Sequence, residues 1–307
     1  MKVLITGATG FIGSNIAGEL LERGVDLYAT YRNTSSFDKC ILFKDEITWI
    51  NTDNPDWKDK ILNIKPDQLI HAAWSGIKSE DRNDWSLQIS NFWLSKTYFD
   101  LAKECGVKKV IVLGSQAEYG VQGCAADENT NPMPNDAYGS VKLLTGNYLR
   151  NLFDDSNTAW YWLRVYSVFG EGENPDWLIP SIVSRLLKNE PIQLTRCEQR
   201  YNYLYIKDFT AQLLSVVECE ENKSGIYNIC DSEDVVLKDL VSKIADLSEI
   251  SQKLLQYGTL PYRNGQNMFI SGNNTKFRTC FKLNGKPSFG LAKGLMKTIE
   301  YYKGKLS

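Results

Sequence analysis

The feature that most constrains this chain is a glycine-rich turn close to its start. Lys2–Thr6 is a short apolar run, and Gly7-Ala8-Thr9-Gly10-Phe11-Ile12-Gly13 leads from it into a segment, Ile12–Arg23, with apolar residues at helical spacing. Backbone without side chains can approach an anion closely, and the start of a helix turns its positive dipole end toward it. A glycine motif alone says little; lying between a strand and a helix gives this one its meaning. Gly7, Thr9, Gly10, Phe11, Ile12 and Gly13 are therefore expected to cradle the pyrophosphate of a dinucleotide.

The first half of the chain alternates short apolar runs with longer helical patterns, as βαβ units on a parallel sheet do. Strands are predicted at Lys2–Thr6, Asp26–Tyr31, Thr48–Asn51, Gln68–Ala73, Lys109–Gly114 and Ala159–Val165. Helices are predicted at Ile12–Arg23, Leu87–Cys105 and Ala137–Phe153. The predicted fold is α/β: a Rossmann-type doubly wound parallel sheet with a smaller α/β substrate-binding lobe toward the C-terminus. Residues 1–166 form the dinucleotide-binding domain, to which the chain returns around 203–230. Residues 167–202 and 231–307 form the lobe.

Bulk properties narrow the function further. With 307 residues and a net charge of −2, the chain has room for a full core but no overall positive field for nucleic acid or an anionic membrane. Seven dispersed cysteines without a CxxC pair suggest reduced thiols in a cytoplasm, and no metal site is expected. The N-terminal apolar run ends after five residues, short of the roughly 7–15 of an export signal. No stretch approaches the ~18 apolar residues of a membrane span. A cytoplasmic protein is expected.

Two positions address the cofactor and the chemistry. The second strand ends Tyr31-Arg32, where an acidic residue would accept bonds from an adenosine ribose. A guanidinium there suits a 2′-phosphate instead, so NADP(H) is favoured over NAD. Tyr138 and Lys142, four apart at a helix start, share one face. A nearby ammonium stabilises phenolate and makes the tyrosine usable for proton transfer. Ser115, at the end of a strand, can hold the substrate oxygen on which charge develops.

These pieces together resemble the extended short-chain dehydrogenase/reductases. GATGFIG, His71-Ala72-Ala73, Gly114-Ser115 followed by Glu118-Tyr119-Gly120, and Tyr138-Gly139-Ser140-Val141-Lys142 stand in that family's order and spacing. Leu163-Arg164 with Val168-Phe169-Gly170-Glu171-Gly172, then Tyr203 to Asp208, then Tyr227-Asn228-Ile229, resemble its nucleotide-sugar epimerase/dehydratase branch. The resemblance implies Tyr138 as acid/base, Lys142 as its electrostatic partner and ribose anchor, and Ser115 as oxyanion holder. It places Ala72 and Ala73 against the cofactor, Asn91 in support of the lysine through water, and His71 near the cofactor's phosphates. Gln116, Ser167 and Arg263 fall among substrate-binding positions, Arg263 as a diphosphate ligand. Ser167 stands where many relatives have asparagine, and Arg200-Tyr201-Asn202 departs by one position from the usual Arg-Asp. Trp177 and Tyr203 are candidates to stack on a base. The resemblance also implies a homodimer through a four-helix bundle.

Missing groups narrow the reaction. Family 4,6-dehydratases carry Asp-Glu after the serine, and 3,5-epimerases a cysteine two positions on; here Gln116 and Ala117 occupy those places. Two reactions need only serine, tyrosine, lysine and a nicotinamide. NADPH-dependent reduction of a nucleotide-linked 4-keto-6-deoxy sugar (dTDP-, CDP-, GDP- or UDP-linked), as in bacterial surface-polysaccharide deoxysugar biosynthesis, is favoured by Arg32. The alternative is an NAD-dependent nucleotide-sugar 4-epimerase. A redox-sensing NADP-binding regulator would be expected to lose the tyrosine or lysine, and both are kept.

Overall fold

A computed structural model describes residues 1–306 except Asn264, Asn284 and Lys286; these three and Ser307 fall within the span expected to form the C-terminal lobe. The central element is a sheet of seven parallel strands. Six are β1 (Lys2–Thr6), β2 (Asp26–Tyr31), β3 (Thr48–Asn51), β4 (Gln68–His71), β5 (Lys109–Ser115) and β6 (Ala159–Val165). The seventh, Gly225–Ile229, pairs with the outer side of β6, giving the order 225–229, β6, β5, β4, β1, β2, β3. The order reverses between β1 and β4, which opens a crevice at the carboxyl ends of the strands.

Both faces of the sheet are covered, so strand residues alternate between two cores. Val3, Ile5, Ile111, Leu113, Tyr161 and Leu163 face one; Leu4, Val110, Val112, Trp160 and Trp162 face the other. Helix α1 (Phe11–Glu22) and the later helix Ile206–Glu218 cover the first face. Helices α2 (Trp57–Ile64), α3 (Trp85–Cys105) and α4 (Ala137–Phe153) cover the second.

The fourth strand is shorter than Gln68–Ala73 because the chain must bend at Ala72. There the Thr6 carbonyl and hydroxyl accept from the Ala72 and Ala73 amides, at 3.2 Å each. Helix α3 starts two residues before its predicted position, capped by Asp84, whose carboxylate accepts from Leu87 N at 3.0 Å. Beyond β6 the chain forms short pairs: Ser167–Phe169 with Tyr203–Tyr205, and Arg200–Tyr201 between Val235–Val236 and Phe269–Ile270. Helices Leu178–Leu187, Leu237–Ser248 and Gly290–Leu306 pack around them.

Candidate active site

The turn after β1 is shaped by what it excludes. Gly7 has φ +73°, and a Cβ there would lie 2.7 Å from Ala73 N; a Cβ on Gly13 would lie 2.0 Å from Gly7 O. The turn therefore closes in this form only with glycine at both places. Gly10 caps α1 without any side-chain bond, so the first helical amides remain available to an anion. Gly7, Thr9, Phe11, Ile12, Ala72 and Ala73 are half-buried along this crevice, and Gly10 is exposed. Cys40 folds back over the turn and its thiol donates to Ala8 O at 3.2 Å, while burial pushes its pKa up to about 11.

At the end of β2, Tyr31 packs edge-on against Phe37 and Trp49, with centroids at 5.3 and 6.0 Å. Arg32 projects into solvent, and its guanidinium has no ion-pair partner among the described residues. His71 is not on the crevice surface: its Nδ1 pairs with Thr6 Oγ1 at 2.8 Å and its Nε2 with Ser95 Oγ at 2.9 Å. Burial, helped by the Lys142 charge, lowers its pKa to about 3, so the ring is a neutral clasp between β1, β4 and α3. The Asn91 amide grips the backbone of Ser75, accepting from its N and donating to its O at 2.9 Å each. It thereby fixes the loop 74–84 that walls the site.

Ser115, Tyr138 and Lys142 converge where β5 meets α4. Ser115 caps a short helical turn, 116–119: its Oγ accepts from Ala117 N at 3.1 Å, which leaves its O–H proton free to donate outward. The Ser115 hydroxyl lies beside the Tyr138 phenol. Burial raises the tyrosine's pKa, opposed by Ser115 and by the charge of Arg82. Lys142 Nζ donates to Leu113 O at 2.7 Å and sits 3.6 Å from the centroid of the Trp74 indole. Burial brings its pKa down to about 7, against the pull of Glu118. Asp136 caps α4, accepting from Gly139 N at 2.7 Å.

Glu118 is the carboxylate nearest the serine, and its oxygens are already engaged. One accepts from Ser115 N and Trp162 Nε1, both at 2.8 Å; the other accepts from Arg164 Nε at 2.8 Å. The Glu118–Arg164 pair is almost wholly buried. Such a pair props the serine in place and is not free to shuttle protons. Gln116 beside it is half-buried, and Ala117 is buried.

On the lobe side, Ser167 is half-buried in the strand Ser167–Phe169. Arg263 is exposed; the Glu80 carboxyl, on loop 74–84, is lowered chiefly by its own backbone amide, with the Arg263 charge the smallest contribution. Lys78 of the same loop reaches Asp176 at 3.8 Å, so this loop faces the lobe from two sides. Arg200 is held by Asp234 at 2.5 Å and borders a separate cavity of 640 Å³ with Asn273 and Arg278; none of the three convergent residues lines it. Trp177 is exposed, whereas the Tyr203 ring is buried against Phe169 and offers no face for stacking a base. The motif reading missed Trp74 and Arg82, both on loop 74–84, where no periodicity ties them to Tyr138.

Residues 3–230 match the sequence profile of the NAD-dependent epimerase/dehydratase family. The chain belongs to that family. It is 26% identical over 257 residues to a dTDP-4-dehydro-6-deoxyglucose reductase of Escherichia coli, covering 79% of this chain and 80% of that one. It is 27% identical over 288 residues to a dTDP-6-deoxy-L-talose 4-dehydrogenase (NAD(+)) of Aggregatibacter actinomycetemcomitans, covering 89% and 99%. Its fold is similar to the crystal structure of UDP-glucose 4-epimerase with UDP-glucose from Thermotoga maritima. There the TM-score is 0.87 at 20% identity, with all of each chain covered. No helix among the described residues is long and apolar enough to cross a membrane.

Proposed function

We propose that this family member is a cytoplasmic, NADPH-dependent reductase converting a nucleotide-activated 4-keto-6-deoxy sugar to its 4-hydroxy form. The observation that carries the reading is the Ser115–Tyr138–Lys142 cluster flanked by Gln116 and Ala117. It offers one acid and one hydrogen-bond donor, and no second acid/base pair for dehydration or 3,5-epimerisation. The glycine cradle and the uncapped start of α1 fit a dinucleotide, and Arg32 fits a 2′-phosphate. Gln116, Ser167 and Arg263 line the substrate side, with residues 167–202 and 231–307 holding the nucleotide.

A bound nicotinamide supplies the hydride; the chain's own groups do the rest. Tyr138 gives its proton to the carbonyl oxygen as that oxygen gains charge. Ser115, whose Oγ already accepts from Ala117 N, donates its own proton in a hydrogen bond to the same oxygen. Lys142, held by Leu113 O, stabilises the phenolate left behind. Because all three are fixed by strand or helix backbone, little reorganisation accompanies the transfer.

A 4-epimerase using NAD is the second reading: serine, tyrosine, lysine and a nicotinamide suffice for that reaction too, and the similar Aggregatibacter 4-dehydrogenase is named for NAD(+). The experiment offers dTDP-, CDP-, GDP- and UDP-linked 4-keto-6-deoxyhexoses with NADPH, and separately with NADH. The expected outcome is rapid loss of reduced-nicotinamide absorbance with one sugar and a preference for NADPH. No consumption with any sugar, together with NAD retained by the purified protein, would overturn the reductase in favour of the epimerase.

A further inference from the structure

We propose that Arg82 is a positioning residue for the proton transfer: its guanidinium, stacked on the Tyr138 ring and tied to Asp136, is a second cation, beside Lys142, that keeps the phenol reactive. Arg82 is bound to the start of α4 at three points. Its carbonyl accepts from Tyr138 N at 2.9 Å, its Nε donates to Asp136 Oδ2 at 2.7 Å, and its guanidinium carbon lies 4.4 Å from the Tyr138 ring centroid. These contacts fix both the backbone and the ring of the tyrosine from the loop side.

The charge matters because of what surrounds it. Tyr138 is faced by Arg82 and the edge of Trp74 from loop 74–84, by Asp136 and Lys142 from α4, and by Ser115 and Glu118 from the end of β5. Glu118 is neutralised by Arg164, and Asp136 opposes Arg82 with the weaker influence on the phenol. Lys142, held by Leu113 O, lies 5.9 Å from the Tyr138 ring centroid. A guanidinium keeps its charge at every pH at which the protein is folded. Arg82 is therefore a second cation beside Tyr138, nearer to its ring centroid than the Lys142 ammonium, at 4.4 against 5.9 Å. Opposite charges at such distances move an ionisation by about 1–3 pH units.

The inference rests on the proposed function only in taking Tyr138 as the group that exchanges the proton, and its test needs no sugar substrate. Full-length protein is labelled with 3-fluorotyrosine, and the Tyr138 19F resonance is assigned by its loss in Tyr138→Phe. Its titration midpoint is then compared in wild type, Arg82→Met and Arg82→Lys. The midpoint is expected to rise by about one pH unit or more in Arg82→Met, and Arg82→Lys is expected to restore most of the difference. Arg82→Gln, which can still donate to Asp136, gives the same reading should methionine loosen the loop. Coincident midpoints in wild type and the neutral variants would overturn the proposal. A purely structural role would disturb the other tyrosine resonances and leave this midpoint in place. Failure of the sugar panel would leave this titration fully interpretable.

Discussion

At the scale of single residues, burial sets the chemistry of Tyr138 and of Glu173. Tyr138→Phe removes the transferable proton and leaves the ring in place, so turnover should fall by about 10²–10⁴-fold. Dinucleotide binding, followed by fluorescence titration, should be unchanged; a regulator that only sensed the cofactor would be indifferent to the substitution. Glu173 gives a second, independent reading. Burial raises its carboxyl to about 8, and its Oε2 has no hydrogen-bond partner. The folded chain therefore holds a proton there that the unfolded chain releases above pH 4.5. The stability due to this group is present below pH 4.5 and lost as pH rises through about 8. Glu173→Gln should accordingly melt close to wild type at pH 5 and clearly above it at pH 8.5. Equal melting-temperature differences at the two pH values would contradict the burial argument.

At the scale of elements, backbone contacts in the turn after β1 leave no room for a side chain at Gly7 or Gly13. In Gly13→Ala, the new Cβ meets Gly7 O at 2.0 Å. Relieving such an overlap costs about 1–3 kcal/mol. That cost should appear as dinucleotide binding weakened on the order of tenfold, measured by calorimetry. This turn was legible in the sequence because glycine spacing, strand and helix lie within one short stretch. Tyr138 and Lys142 were legible for the same reason: four residues on a helix fix their shared face. Ser115 followed from its place at a strand end. Trp74 and Arg82 were not legible, because they meet Tyr138 across more than fifty residues from an irregular loop. The position of His71 was also hidden. The resemblance places it near the cofactor's phosphates; Thr6 and Ser95 supply the partners that hold its ring inside at the end of β4. The seventh strand, 225–229, is short, and its place depends on pairing with β6, which no local pattern encodes.

At the scale of the whole molecule, the sheet carries the crevice while α3 and α4 leave several large apolar side chains exposed. Trp85, Trp93 and Leu94 on α3, and Leu144 on α4, are more than a third exposed. We propose that these side chains, on two helices packed against each other, meet a second copy in a four-helix bundle. Trp93→Glu and Leu144→Glu together should convert a dimer to a monomer in sedimentation velocity, while the melting temperature of the fold shifts little. A wild-type chain that sediments as a monomer at micromolar concentration would refute this.

The most direct test of the central claim follows the hydride itself. NADPH carrying deuterium at both nicotinamide C4 positions is supplied with the 4-keto sugar that supports turnover, and the product is analysed by mass spectrometry and NMR. The account predicts one deuterium on the sugar's C4 carbon for each NADPH oxidised. A sugar inverted at C4 with no net oxidation of the nicotinamide would contradict it.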